Sequence, residues 1–522
     1  MKKIIVIVLL AFIFGACTDQ FEEANKNPYE ISGVSLQQDF NHVGSYYSSM
    51  LTSLFGSQTE ENLVDESFVN HMATPTSFNG GVNNTTYYIW RNTYWNRVYN
   101  GIMAPSQNVI RIAEADHYDV FVAWAKLIRV LGMSKVTAHY GPVIYSKYGS
   151  GEPVINYDSE QELYNIFFTQ LDEILAIFNA NKDYPGMKKF DASYGGDVKK
   201  WIKVVNSMRL RLAIRISKVA PATAKTQAEK AISEPGGLIT TNGDNFNVSL
   251  YGAKLTLAVI CFEWNDTRMS AAMESFLVGL KDNRISKYFQ PAADASLFPD
   301  HPDYPYKGIR NGATLGAKDT RLSFSMINES FKTVTSRRVF TAQEVHFDLA
   351  EAALRGWAGA GDAKTNYENG VKASFADWGA SGVNDYLADG TSKPLDYKDP
   401  KSSPVNDFVT RSSITVKWED GDSNELKLEK IITQKWIANF TTSLEAWCDH
   451  RRTGYPKLPY NYQNDSSKDW GIIAPDDFIK RMPFITPERT GNPLGVAGAT
   501  EKLGGPDLIS TRLWWDTGGP NF

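Results

Sequence analysis

Residues 339–379 read VFTAQEVHFDLAEAALRGWAGAGDAKTNYENGVKASFADWG, and this stretch decides the fold. Its apolar positions recur at helical spacing up to about Trp357. The Gly-rich turn GAGD follows, and a second helical run starts at about Asp362. The spacing predicts two helices in a hairpin. Ala350, Ala353, Gly356 and Ala360 are small enough to let the helices approach closely. Tyr367 and Ala373 fall where the second helix of a tetratricopeptide-like repeat packs on the first. Glu351 and Arg355 read as a surface-type i,i+4 pair.

The same periodicity appears along the chain. From Asp197, which stands at an N-cap position, DVKKWIKVVNSMRLRLAIRIS aligns Trp201, Val205, Met208, Leu212 and Ile216 on one face. Lys203, Arg211, Arg215 and Lys218 line the other side, reading as a solvated face or an ion-paired interhelical contact rather than an anion site. Further helical windows run over about 36–55, 86–115, 118–138, 159–180, 222–233, 268–281 and 424–452. No strict 34-residue repeat is present, so the expectation is a mainly α, irregular scaffold of tetratricopeptide-like helix pairs. Trp201, Trp357, Trp436 and Trp447 are expected in its core. Long polar, Pro- and Gly-rich insertions at 72–86, 290–320, 381–423 and 455–522 are expected to carry function, because structureless loops of that length are uncommon inside compact domains.

At the N-terminus, Lys2 and Lys3 precede an apolar run from Ile4 to Phe14, then Gly15, Ala16 and Cys17. This reads as an export signal. The run falls short of the roughly 20 residues a membrane-spanning helix needs. Small residues placed directly before Cys17 resemble the bacterial lipobox, in which the cysteine is lipidated and becomes the first residue. The alternative is a soluble secreted protein with Cys17 free or paired. The expected organisation is a signal over 1–16, a tether over 17–35 and one domain over 36–522. Loss of Lys2 and Lys3 moves the net charge from −5 to about −7. No basic block suits nucleic acid. After Cys17 only Cys261 and Cys448 remain, so disulfides do not organise the fold, although these two could pair.

Trp, Tyr and Phe make up 12% of the chain, and many of the Trp and Tyr adjoin Asn, Asp or Gly. Flat amphipathic rings beside hydrogen-bonding side chains suit sugar or peptide surfaces. The seven histidines show no paired-ligand spacing, and neither a phosphate loop, a dinucleotide fingerprint nor a serine-nucleophile elbow is present. GATLGAKD breaks the phosphate-loop pattern because Lys318 is followed by Asp319. No metal, cofactor or catalytic residue is therefore assigned. Glycoside hydrolysis stays open on prior grounds, since it needs only two carboxylates about 5–9.5 Å apart in a cleft.

Several stretches, taken in order, resemble the SusD/RagB family of outer-membrane nutrient-binding lipoproteins. They are CTDQFEEANKNPYE from Cys17, VTAHYGPVIYS followed by YDSEQELYNIFFTQLDEI, GDVKKWIKVVNSMRLRLAIRIS, EVHFDLAEAALRGW, QKWIANFTTSLEAWCDHRRTGYPKL, and RMPFITPERTGNP. In the last, Phe484 and Ile485 stand where Tyr and Pro are usual. The resemblance implies four tetratricopeptide-like pairs, a loop-rich remainder holding the ligand site, and a lipid anchor at Cys17 on the outer membrane facing the exterior. It also implies a partner, a SusC-like TonB-dependent transporter over which the lipoprotein forms a hinged lid. The expected ligands are oligosaccharides or polysaccharide fragments. Peptides or another nutrient are the alternative, and a glycan-degrading lipoprotein enzyme is a more distant one. The group Glu445, Asp449, Arg451 and Arg452 reads as structural. Candidate ligand contacts, taken from loop context, are Phe78, Asn79, Tyr87, Trp90, Trp264, Asn265, Tyr304, Tyr306 and Arg310.

Overall fold

Asp197 caps its helix as its position in the sequence suggests, accepting from the amides of Lys199 (3.0 Å) and Lys200 (3.3 Å). These and all following observations come from a computed structural model that describes residues 37–78, 80–89, 94–298, 301 and 303–522. The signal, the tether, Cys17, Asn79 and Trp90 lie outside the described residues. The chain divides into a unit of residues 1–45 and a unit of residues 46–522. The first contains the short helix Asn41–Gly44; the second holds everything below.

The scaffold comprises α1 (Ala104–Ala115), α2 (Asp119–Tyr140), α3 (Glu160–Ala180), α4 (Val198–Arg215), α5 (Pro221–Ser233), α6 (Ala271–Gly279), α7 (Ala342–Leu354), α8 (Ala363–Trp378), α9 (Asn424–Ala438), α10 (Ser443–Thr453) and α11 (Pro493–Leu503). Helices α1/α2, α3/α4, α7/α8 and α9/α10 form four successive packed pairs, and α4 and α9 both pack on α7. Two small antiparallel pairs complete the frame: β1 (Met72–Ala73) with β3 (Arg268–Met269), and β2 (Phe246–Ser249) with β4 (Ser336–Phe340). Among the described residues, no helix is long and apolar enough to cross a membrane.

The hairpin at 339–379 forms as its pattern predicts. The Asp362 carboxylate caps α8 by accepting from the Thr365 amide, and Gly379 closes the helix at φ 64°. Helices α7 and α8 approach closely at Gly370, where a Cβ would lie 2.7 Å from the Phe347 ring. Ala350 and Ala360 are buried, whereas Gly356 serves the turn at φ 70°. All four expected core tryptophans are buried, with Trp357 just beyond the end of α7.

Three expectations need correction. The window 424–452 is two helices, broken at Asn439–Thr442 with Thr441 at φ 77°. In the window 86–115, Tyr87–Ile89 are not helical, and the helical residues described beyond them are Tyr94–Val98, a π-helical turn at Tyr99–Met103, and α1. Glu351 and Arg355 pair at 2.8 Å, but Glu351 is buried and also binds Arg452 at 2.6 Å, so the pair belongs to the interior. Cys261 and Cys448 are both free and buried, and do not pair.

Glu351 belongs to a set of ion pairs enclosed by α4, α7, α9 and α10. Arg211 binds Glu344 (2.6 Å) and Glu445 (3.5 Å), and Glu445 also binds Arg215. Lys435 lies between Asp348 (2.6 Å) and Asp449 (2.8 Å), and Asp449 passes the chain on to Arg452 (2.9 Å). Burial pushes the Asp449 carboxyl up, but Lys435 and Arg452 outweigh it and hold the group at about 2. Removing one member of such a set strands its partner in the interior. Glu351→Ala is expected to cost about 3–5 kcal/mol in denaturant unfolding. Lys372→Ala, at the solvent-facing Lys372–Glu368 pair (3.2 Å), is expected to cost under about 0.5 kcal/mol.

Candidate functional site

The pairing of Met72 with Met269 sets the 264–269 turn beside the 72–86 loop. Both are tied to one central segment, residues 309–318. Ile309 bonds the backbone of Met269 and Ala271 (2.8 Å each). The buried Asn311 amide donates to the carbonyls of Ser67 (3.0 Å) and Met72 (2.9 Å). Arg310 donates to the carbonyls of Asp407 (2.6 Å) and Tyr460 (2.7 Å). Lys318 reaches the Trp264 carbonyl at 2.7 Å, and Thr76 donates to the Gly316 carbonyl at 3.3 Å.

Gly312 is required twice over. Its φ is +65°, and a Cβ there would lie 2.3 Å from the Asn461 side chain. The close approach lets the Gly312 carbonyl accept from the amides of Tyr462 (3.1 Å) and Gln463 (2.7 Å), while Asn461 donates to the Thr85 carbonyl (2.7 Å). Four separate insertions therefore converge on one surface.

The candidate residues divide on that surface. The Trp264 ring is 47% exposed. Phe78 and Tyr304 are half-buried, and Asn265 is held at φ 56° with its side-chain oxygen accepting from Arg268 at 3.1 Å. Tyr87 and Tyr306 are buried at 4% and 6% exposure, so they pack in the loop interior and do not offer ring faces to solvent. Arg310 orients loops through its two carbonyl partners. Sequence reading passed over Tyr462, which is 57% exposed and lies 6.0 Å from the Arg310 guanidinium. The signal was present, since NYQND sets this tyrosine beside Asn as in the other candidates.

A mixed cleft of about 220 Å³ lies at the α9–α10 break. Leu255, Phe331 and Trp378 form its apolar side, and Arg337, Arg338 and Glu66 its polar side. Its charges are largely matched, with Arg337 on Glu61 (2.6 Å) and Arg338 on Asp377 (2.9 Å). Burial pushes Glu66 up to about 7, against a hydrogen bond from Asn62 at 2.7 Å. Burial likewise raises the Cys261 thiol to about 11 and raises that of Cys448, which leaves neither as a ready nucleophile. Among the described residues, no group of three or more His, Cys, Asp or Glu is placed to hold a metal ion.

The family model described as SusD-like, the SusD and RagB outer membrane lipoproteins, matches residues 23–516. A chitin-binding SusD homologue from Flavobacterium johnsoniae is 38% identical, with a TM-score of 0.87 over 92% of this chain and 100% of its own. A SusD homologue from Bacteroides vulgatus is 32% identical, with a TM-score of 0.86 over 93% of this chain and 99% of its own. One from Bacteroides uniformis is 35% identical, with a TM-score of 0.83 over 91% and 99%. No curated protein matches the chain.

The raised Glu66 carboxyl carries a pH signature. The folded group holds its proton more tightly than the unfolded one, so its stabilising effect is complete below about pH 4.5 and is lost as pH rises through about 7. Glu66→Gln keeps a neutral polar group there. Its unfolding free energy relative to the wild-type protein is expected to rise between pH 5 and 8 by roughly 2–3 kcal/mol, measured by denaturant titration at each pH.

Proposed function

Because the chain belongs to the SusD-like (SusD/RagB) family of outer-membrane lipoproteins, we propose that it captures oligosaccharides at the cell surface and hands them to a SusC-like TonB-dependent transporter. The family is one of non-catalytic binding proteins, and the role is capture without bond cleavage. The observation that carries the reading is the pair of exposed rings, Trp264 and Tyr462, mounted on loops tied to the same 309–318 segment. Aromatic faces stack on the apolar faces of sugar rings, while nearby amides and carbonyls read hydroxyls. Phe78, Asn79, Trp90, Asn265 and Tyr304 are the further ligand contacts we propose from their sequence context. The chitin-binding relative makes N-acetylglucosamine oligomers the first ligands to try. Cys17 is the proposed lipid anchor and 17–35 the tether, so that residues 36–522 swing as a lid on the transporter. Acyl chains at one cysteine suffice for stable anchoring once more than one is attached.

Calorimetry of the detergent-solubilised lipoprotein against chito-oligosaccharides, α- and β-glucans and peptides, with product analysis of each mixture, tests the reading. Saturable oligosaccharide binding without cleavage is expected. Trp264→Ala and Tyr462→Ala are each expected to weaken it about tenfold, or ~1.4 kcal/mol. Binding unchanged in both variants, or turnover of any glycan, refutes the proposal. In cells, Cys17→Ser is expected to shift the protein from the membrane to the soluble fraction, and continued membrane retention would rule out the anchor.

A further inference from the structure

A second cleft of about 220 Å³ lies between the C-terminal end of α10 and the segments at Tyr460, 476–480 and 512–519. It has room for several waters or for one sugar ring. One wall is aromatic: the Tyr460 and Phe478 rings lie 5.1 Å apart at 36°, and His450 meets Phe478 edge-on at 4.7 Å. The remaining lining is unusually rich in cations, with Arg411, Arg451, Arg452, Lys480 and Arg512 facing Asp476 and Asp477.

The partners of these groups differ. Lys480 binds Asp477, Arg512 binds Asp516 at 2.6 Å, and Arg452 belongs to the interior ion set. Arg451 and Arg411 bond neutral acceptors. Arg451 donates to the carbonyls of Ala138 and Lys480 (2.8 Å each) from the buried floor. Arg411, on the exposed rim, lies flat on Tyr460 at 3.7 Å and donates to the Leu458 carbonyl (2.7 Å) and the Tyr460 hydroxyl (2.5 Å). A guanidinium has five donors in a fixed fork, so these two bonds leave Arg411 with unused N–H groups beside an aromatic wall. Asp476 is the exposed counterweight, and Asp477 is occupied by Lys480. The field in the cleft is positive: burial first, then Lys480 and Arg411, depress His450 to about 3.

We propose that this cleft is a separate ligand site for a monosaccharide-sized carboxylate of the hexuronate type. Its carboxylate meets the Arg411 fork, and its ring packs against the Phe478 side of the aromatic wall. Guanidinium–carboxylate bonding is charge-assisted and directional, and the aromatic wall supplies what a bare inorganic anion does not use. The anion site stands on its own residues; only the sugar character of the ligand rests on the function proposed above. Tyr460 lines this cleft while Tyr462, two residues on, is exposed beside Arg310, so the two sites share one segment of chain.

The test is calorimetric titration of the full-length lipoprotein at low salt with glucuronate, glucose and acetate. Glucuronate is expected to bind saturably, and at least tenfold more tightly than either control. Arg411→Gln is expected to weaken it about tenfold or more, and Arg411→Lys, which keeps the charge without the fork, by an intermediate factor. Because Arg411 is exposed, unchanged thermal unfolding of these variants is expected and verifies their fold; Arg512→Gln, also on the rim, provides a second loss of affinity, with its own thermal unfolding measured because it leaves the buried Asp516 without its 2.6 Å partner. Trp264→Ala is expected to leave glucuronate binding intact while weakening chito-oligosaccharide binding, which separates a failure here from a failure of the proposed function. Absence of saturable glucuronate binding, or binding retained in both Arg411→Gln and Arg512→Gln, overturns the site. Equal affinity for acetate overturns its assignment to a sugar acid.

Discussion

The helices are registered by ionic bonds sealed away from water. Arg211, Arg215, Arg355, Lys435 and Arg452 alternate with Glu344, Glu445, Asp348, Asp449 and Glu351, and each cation touches at least one of these carboxylates. Desolvating so many charges is costly, and the arrangement is tolerable because each ion is offset by a close partner of opposite sign. The strain of confinement still shows, since burial keeps Asp348 up at about 7 even with Lys435 beside it. Sliding of one helix along another would separate paired charges in a low-dielectric interior. The ionic set therefore links α4, α7, α9 and α10 through partners whose separation is penalised.

That fixed frame matters for the loops. Arg451 and Arg452, at the end of α10, make different contacts: Arg452 with the ionic interior, Arg451 with the carbonyls of Ala138 and Lys480. Through such contacts the long C-terminal insertion is anchored to the helices. Arg481 does the same, donating to the Tyr140 carbonyl at 2.7 Å and to Asp507 at 2.6 Å. The loop-built surface is thus an extension of the scaffold, with its exposed rings mounted on a braced base.

How much of this was readable in sequence depends on the range of the interaction. The α7–α8 hairpin, the Asp197 cap and the stripe from Trp201 to Leu212 are local, and periodicity revealed them. The Glu351–Arg355 pair was visible, but its burial was not, because the residue that draws Glu351 inside, Arg452, is 101 positions away. The Asn439–Thr442 break was hidden because helical periodicity continues on both sides of it. Ring exposure was the weakest inference. Tyr87 and Tyr306 stand near polar residues in sequence as Trp264 does, and only three-dimensional packing separates buried rings from accessible ones.

The bonds that hold the loop surface have a common form: a side chain on one loop, at Arg310, Asn311, Asn461 or Lys318, grips a main-chain carbonyl on another. The donor must keep its identity, but the acceptor carbonyl is the same whatever residue bears it. Drift in sequence is therefore unequally constrained across the surface. Trp264 supplies only its carbonyl to these braces, so its side chain is free to change while the architecture persists, and the chemistry displayed outward becomes an exchangeable trait carried on a braced mount.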